Sequence, residues 1–134
     1  QFNVSRDRMV QCRTYRDIFY SNIVGLSGSE LTMNLQDRIP SKEDCINIQH
    51  FYNNEEVMER FKSGIIENTV DYRSRQKDNK LHWLHAICRA AYDEVSGDVF
   101  SHTFVSDVDI EKKKEIVTES VVNKETDFII TLDK

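Results

Sequence analysis

The strongest nucleophiles in this sequence are its three cysteines, Cys12, Cys45 and Cys88, which lie far apart and form no Cys-X-X-Cys motif. No nucleophile elbow, phosphate-binding loop or pair of catalytic carboxylates accompanies them. An odd number of isolated cysteines is typical of free thiols in a reducing compartment. The sequence therefore predicts a cytoplasmic domain that is not itself an enzyme.

The histidines do not predict a metal centre. His82 and His85 are three residues apart on a predicted strand, so their side chains should point to opposite faces. His85 and His102 are candidate cross-strand neighbours, and we expect a plain contact between them rather than zinc binding. We therefore expect no metal.

Length and composition indicate one folded domain with flanking segments. The chain has 134 residues, of which 39% are hydrophobic and 31% charged, so it can bury a core. The net charge of −5, without a basic patch, argues against nucleic-acid binding. No apolar run approaches the ~20 residues of a membrane helix, so we expect no membrane contact. The sequence begins at Gln1 without a signal peptide, which suggests a piece of a longer protein.

The clearest pattern lies between residues 68 and 107 and predicts three consecutive antiparallel strands. The first contains Val70 and Tyr72, the second runs from Leu81 to about Tyr92, and the third spans residues 99–107. Polar turns connect them at residues 77–80 and 93–98. One face of the second strand carries mostly small side chains, and the other carries bulky ones: Leu84, Ala86, Cys88 and Ala90 against Trp83, His85, Ile87 and Arg89. Helices or a ligand must fill the small face, and an N-terminal helix or another subunit must cover the bulky one.

The remaining elements are predicted around this meander. We expect a helix over residues 5–20, one or two short strands within 21–39, and helices beginning near Ser41 and Asn53, the second ending at Gly64. An exit helix should run from Ile110 to about residue 123 with Asp109 as its N-cap, and a new strand pattern follows at 127–133. The predicted units are a linker helix (1–20), a sensory domain (21–109), an exit helix (110–124) and the start of a following domain (125–134).

Several short motifs together resemble those of the PAS family over residues 40–115. They are Asp71-Tyr72-Arg73, Lys77-Asp78-Asn79, His82-Trp83-Leu84, Asp93 with Ser96-Gly97, Asp107-Val108-Asp109 with Lys112-Lys113, and Pro40–Asp44. Asn79 stands where the family has glycine, and asparagine tolerates the left-handed conformation. The resemblance implies an α+β fold: a PAS-like five-stranded antiparallel sheet with short helices on one face, flanked by N- and C-terminal helices.

The resemblance also implies a function. Modules of this kind occur in bacterial signalling proteins that end in diguanylate cyclase (GGDEF) or cyclic-di-GMP phosphodiesterase (EAL) domains. Neither signature occurs in these 134 residues, so such catalysis would lie elsewhere in the parent protein. We expect a sensory or signal-relay domain that acts through small-ligand binding or dimer rearrangement, with a homodimer mate and adjacent domains as partners. The alternative is a structural dimerisation module without a ligand.

Site residues follow from the two faces of the sheet. The candidate pocket comprises Asp71, Arg73, Leu84, Ala86, Cys88, Thr103 and Val105. Asp71 and Arg73 are interpreted as an interior pair, serving either as a structural ion pair or as a polar anchor for a ligand. Asp107 and Asp109 are the expected relay residues. The expected dimer or helix-packing face consists of Tyr72, Trp83, Ile87 and Phe104.

No flavin or haem is expected. A light-sensing PAS domain needs an Asn-Cys-Arg-Phe-Leu-like helix, whereas Cys45 stands in Asp-Cys-Ile-Asn-Ile. His50 is the candidate axial ligand for haem, and we expect a surface or packing role for it. An unidentified small ligand stays open, although apolar residues from the short helices are available to fill the interior: Ile46, Ile48, Val57, Met58 and Phe61.

Overall fold

One antiparallel sheet organises the chain, with its five strands in the order β2-β1-β5-β4-β3. The structure is a computed structural model that describes residues 1–12 and 23–117. Its elements are β1 (Phe2–Asn3), β2 (Arg8–Met9), α1 (Gly28–Gln36), α2 (Lys42–Tyr52), α3 (Asn54–Lys62), β3 (Glu67–Arg75), β4 (Leu81–Tyr92), β5 (Val99–Asp107) and helix α4 at residues 109–117. Helices α1 and α2 contribute to one core with the sheet, so the predicted α+β, PAS-like architecture is confirmed.

The three-strand meander forms as predicted. Strand β4 pairs antiparallel with β3 over residues 81–89 and with β5 over residues 84–92. Asn79 adopts a positive φ of 62° in the first turn, and Gly97 has a φ of 77° in the second. The Asp93 N–H donates to the Asp98 carbonyl at 2.8 Å and closes the second turn. Turn chemistry and strand alternation were therefore sufficient to predict the presence and order of these strands.

The N-terminal segment differs from its prediction. The helix expected over residues 5–20 is wrong for its described part, because residues 2–9 form the β1–β2 hairpin with Asp7 at a φ of 53°. Strand β1 pairs with β5, with Phe2 opposite Ser101. The physical reason is non-local: β5 would otherwise expose unpaired backbone groups along its edge, and pairing with β1 satisfies part of that edge. Residues 13–20 of the predicted helix lie outside the described residues.

The short strands expected within residues 21–39 are also wrong, because residues 28–36 form helix α1. Ser27 caps this helix in a complete capping box: its Oγ accepts from the Glu30 N–H, and the Glu30 carboxylate accepts from the Ser27 N–H. Leu31 and Leu35, one helical turn apart, are buried on the sheet side. The Ser-X-X-Glu spacing was the signal for this helix.

Helices α2 and α3 begin at the predicted residues, and α3 ends just before Gly64, as predicted. Ser41 Oγ accepts from the Asp44 N–H at 3.2 Å, and Asn53 Oδ1 accepts from the Glu56 N–H at 3.0 Å. Gly64, at a φ of 87°, follows α3, and the next N–H, that of Ile65, donates back to the Arg60 carbonyl. This pattern is a Schellman termination, which needs a left-handed residue after the helix.

The inner face of the sheet, defined as the face toward α1 and α2, holds the main core. Tyr72, Leu84 and Ala86 are at most 2% exposed there and pack with Ile48 and Phe51 of α2. The placement of Tyr72 on the dimer or helix-packing face was therefore wrong. Burying its large ring is more favourable in free energy than burying its charged neighbours. No helix in the described ranges is long and apolar enough to cross a membrane.

Candidate functional site

A cavity of about 130 Å³ lies between the inner face of the sheet, which includes the N-terminal hairpin, and the helices. Strand β5 forms one wall through Ser101, Thr103 and Val105. Helices α1, α2 and α3 form the opposite side. The other described residues that line the cavity are Gln1, Phe2, Val4, Met9, Gln11, Cys12, Ile23, Leu31, Phe51, Tyr52, Asn54, Val57 and Cys88.

The described cavity wall carries no aspartate, glutamate, lysine, arginine or histidine side chain. Its polar side chains end in neutral amides, hydroxyls and thiols, and burial lowers the pKa of the amino group of Gln1, which also lines the cavity. Burial raises the pKa of the Cys12 thiol, so this side chain stays protonated at neutral pH. The cavity is therefore suited to an uncharged ligand, because an ion would lose its hydration there without meeting an opposite charge on a side chain.

The structure brings three of the predicted pocket residues to the cavity wall: Cys88, Thr103 and Val105. Leu84 and Ala86 lie on the same face but are buried in the core without lining the cavity. Sequence alternation identified the correct face of β4 and β5. It missed the contribution of the hairpin, because residues 2–9 were expected to be helical.

The interior placement of Asp71 and Arg73 was wrong. Strand alternation that buries Tyr72 turns both neighbours to the opposite, outer face. Asp71 pairs there with His85 and with Lys112 of α4 rather than with Arg73. Burial raises the pKa of Asp71, but the hydrogen bonds from His85 and Lys112 outweigh it and hold that pKa below its usual value.

Arg73 instead connects the sheet to helix α2. Its backbone N–H donates to Asp44 Oδ2 at 3.1 Å, and its Nε donates to the same oxygen at 3.2 Å. The guanidinium also lies 5.0 Å from the ring centroid of Trp83, within the range of a cation–π contact. Asp44 thus accepts two hydrogen bonds from one residue and fixes the start of α2 against β3.

The predicted relay residues, Asp107 and Asp109, form the junction between β5 and α4. Asp107 Oδ1 accepts from the Asp109 N–H at 2.9 Å, and Asp109 Oδ1 accepts from the Trp83 N–H at 3.1 Å. The Val108 N–H donates to the Trp83 carbonyl at 2.9 Å. The backbone N–H and carbonyl of Trp83 are therefore bonded to Asp109 and Val108, respectively.

Asp109 was expected to be the N-cap of the exit helix, but it is the first helical residue. The Lys112 N–H donates to the Val108 carbonyl at 2.8 Å, so the first helical hydrogen bond starts at Val108. The Asp109 carboxylate leaves the helix to reach Trp83, and it pairs with Lys113 at 2.8 Å. Lys113, chiefly, holds the pKa of Asp109 below its usual value. Residues 118–134, including the predicted helix end and following strand, lie outside the described residues.

His82 joins this junction to the β3–β4 turn, and the sequence analysis missed this role. Its Nδ1 lies 2.7 Å from Asp107 Oδ2, and its Nε2 lies 2.7 Å from Asp78 Oδ2. Burial lowers the pKa of His82, but the two carboxylates outweigh it and raise that pKa above its usual value. The register places Leu84 opposite Asp107 and so brings the end of β5 beside His82, and this register was not predicted from the sequence.

A comparison with models of known protein families finds none that matches this chain, and a comparison with curated proteins finds none either. The functional assignment therefore rests on the geometry and on the motifs in the sequence.

The outer face carries the remaining predicted residues, Trp83, Ile87 and Phe104. Phe104 is 63% exposed, and Lys112 of α4 lies 5.2 Å from the ring centroid of Trp83. Helix α4 thus contacts the Trp83 side of this face and leaves Phe104 exposed.

The proposed contact between His85 and His102 was wrong. His85 pairs with Ser106 and His102 with Arg89, because β4 and β5 are offset relative to that expectation. His82 and His85 do point to opposite faces, as predicted, since they bond to different carboxylates. Within the described ranges, no group of three or more histidine, cysteine, aspartate or glutamate residues could hold a metal ion.

Proposed function

We propose that this chain is a PAS-type sensory domain that binds a small molecule in the cavity and relays occupancy to helix α4. One observation carries the proposal: strand β5 joins the two sites. Val105 lines the cavity, and Asp107, two residues further along the same strand face, bonds to the first residue of α4. A single rigid strand therefore touches both the proposed ligand and the proposed output element.

The physical route is short. A ligand that displaces Val105 shifts the end of β5, and Asp107 moves with it. Because the Asp107 carboxylate bonds both His82 and the Asp109 N–H, this shift changes how α4 sits against Trp83. A sub-ångström change is sufficient where two alternative packings differ by little free energy.

The setting of the proposal follows the resemblance to PAS modules. We place the domain in the cytoplasm, as one part of a bacterial signalling protein. There it would regulate a diguanylate cyclase or phosphodiesterase domain elsewhere in the parent chain. The domain itself would be non-catalytic. Three free cysteines are compatible with a reducing compartment. Ile110 and Val117, which are 69% and 62% exposed on α4, are the residues through which a homodimer would form.

The relay is tested with phenol as the cavity probe and Trp83, the single tryptophan of the chain, as the reporter. We expect phenol to shift the NMR signal of the Trp83 backbone N–H, which donates to Asp109, saturably and in parallel with signals from cavity residues. In Asp109→Ala the cavity signals should still titrate, whereas the Trp83 response should be strongly reduced, because its bond to the helix is gone. Lys114→Ala, an exposed change on the same helix, is the matched control and should respond as wild type.

An unchanged Trp83 signal at saturating phenol would refute the relay. An unchanged response in Asp109→Ala would show that Asp109 does not carry it. A dimer that takes up no phenol would support the alternative, a structural dimerisation module, for which the exposed side chains of Phe104, Ile110 and Val117 provide the apolar surface.

A further inference from the structure

The amide oxygen of Asn54 is a buried hydrogen-bond acceptor without a partner in the described part of the chain. The amide nitrogen of the same side chain donates to the Val4 carbonyl at 2.7 Å. Only the NH₂ group can donate to a carbonyl, so this bond determines which end of the amide is the oxygen. An acceptor buried in this way is destabilising unless something else donates to it.

Asn54 also lines the cavity, so a ligand there is a suitable donor. It is the first residue of α3, and both the helix and the bond to Val4 hold its side chain in place. The surrounding wall is largely apolar, with Leu31, Phe51 and Val57 among its members. One residue of this largely apolar wall therefore carries a buried, unpaired acceptor.

Size restricts the ligand further. The cavity measures about 130 Å³, slightly less than the ~150 Å³ of an engineered apolar cavity that accepts benzene. A compact ring or short branched molecule fits this volume. The described wall carries no charged side chain, and burial lowers the pKa of the Gln1 amino group and so disfavours its charged form. An ionised ligand would therefore be desolvated without a counter-charge from a side chain.

We propose that the cavity binds a small uncharged molecule with an apolar body and one hydroxyl or N–H group, and that this group donates to Asn54 Oδ1. The inference rests on the proposed function, since it specifies the ligand class of the same cavity. A ligand with the same shape but no donor fills the space and leaves Asn54 unpaired. Donor chemistry at this atom thus sets the selectivity of the site.

The test compares phenol with benzene, which has nearly the same shape but no donor. In NMR titrations we expect phenol to bind the wild-type chain about tenfold more tightly than benzene, because one neutral hydrogen bond contributes an affinity difference of about this size. In Asn54→Leu, which has a similar volume but no acceptor, the two affinities should become about equal. Asn53→Ala is the matched control: it removes the cap of the same helix, lies outside the cavity wall, and should retain the tenfold preference.

Each outcome separates the two proposals. Equal wild-type affinities, with both ligands shifting Trp83, would overturn the Asn54 anchor while leaving the sensor intact. Failure of both ligands to bind would overturn the cavity function itself. Tighter binding of benzoate or anilinium than phenol would overturn the uncharged ligand class. The wild-type comparison needs no variant, so it decides the question even if Asn54→Leu does not fold.

Discussion

The two faces of strand β4 alternate residue by residue and yet have different chemistry. On the inner face, Leu84 and Ala86 are at most 2% exposed and pack in the core shared with α1 and α2. On the outer face, Trp83 and His85 are partly exposed and contact charged side chains, including Lys112 of α4. The difference indicates a division of roles. The inner face supplies the free energy of folding and the cavity wall, and the outer face supplies the contact with the exit helix.

The largest expected effect on stability comes from truncating a buried side chain on the inner face. Leu84→Ala should lower the free energy of unfolding by about 3 kcal/mol, because it removes buried methyl groups and leaves a cavity. Urea denaturation followed by circular dichroism measures this loss. Phe104 on the outer face is 63% exposed, so Phe104→Ala should change the free energy of unfolding by no more than about 0.5 kcal/mol. Similar costs for the two variants would break the distinction between the faces.

A smaller loss is expected where helix α2 meets the edge of the sheet. Asp44 is 6% exposed and accepts from both the backbone and the side chain of Arg73. Asp44→Ala should lower the free energy of unfolding by about 2 kcal/mol, since it leaves these donors without their acceptor. Glu43→Ala is the matched control, because it removes an exposed acid from the same first helical turn without a contact to β3. Equal losses in urea denaturation would mean that the helix dipole, and not the contact with Arg73, accounts for the effect.

The parts of the fold that local patterns specify were predictable. Asn79 and Gly97 marked the turns of the meander, and Ser41 and Asn53 marked helix starts. The β1–β2 hairpin was not predictable, because its strands are only two residues long and β1 is fixed by pairing with β5, about 100 residues away in sequence.

The candidate site was partly predictable for the same reason. Alternation along β5 placed Thr103 and Val105 correctly on the inner face, where both line the cavity. Asp71 was placed on the wrong face because it was interpreted as one half of an interior pair with Arg73. Burial of the neighbouring Tyr72 instead decides which side chains of β3 face inward. The unpaired oxygen of Asn54 depends on a contact with Val4 across 50 residues, so no local pattern reveals it.

The smallest expected effect tests the junction through pH. Both ring nitrogens of His82 lie 2.7 Å from carboxylate oxygens, of Asp78 and Asp107, and only the doubly protonated imidazolium can donate to both. Asp109 on α4 adds a further negative charge nearby. The folded chain therefore holds the His82 proton more tightly than the unfolded chain, in which the pKa is near 6.5.

This raised pKa fixes the sign of the pH dependence. The contribution of His82 to stability is complete below pH 6.5 and is lost as the pH rises through the higher, folded-state pKa. We expect wild type to exceed His82→Gln in Tm by no more than about 4 °C at pH 5.5, because partly exposed ion pairs contribute little. The difference should shrink steadily toward pH 8.5. Aspartates with lowered pKa values, such as Asp78, titrate in the acid range below this window and do not disturb the comparison. A Tm difference that stays constant or grows with pH would show that the imidazolium does not join the turn to the exit helix.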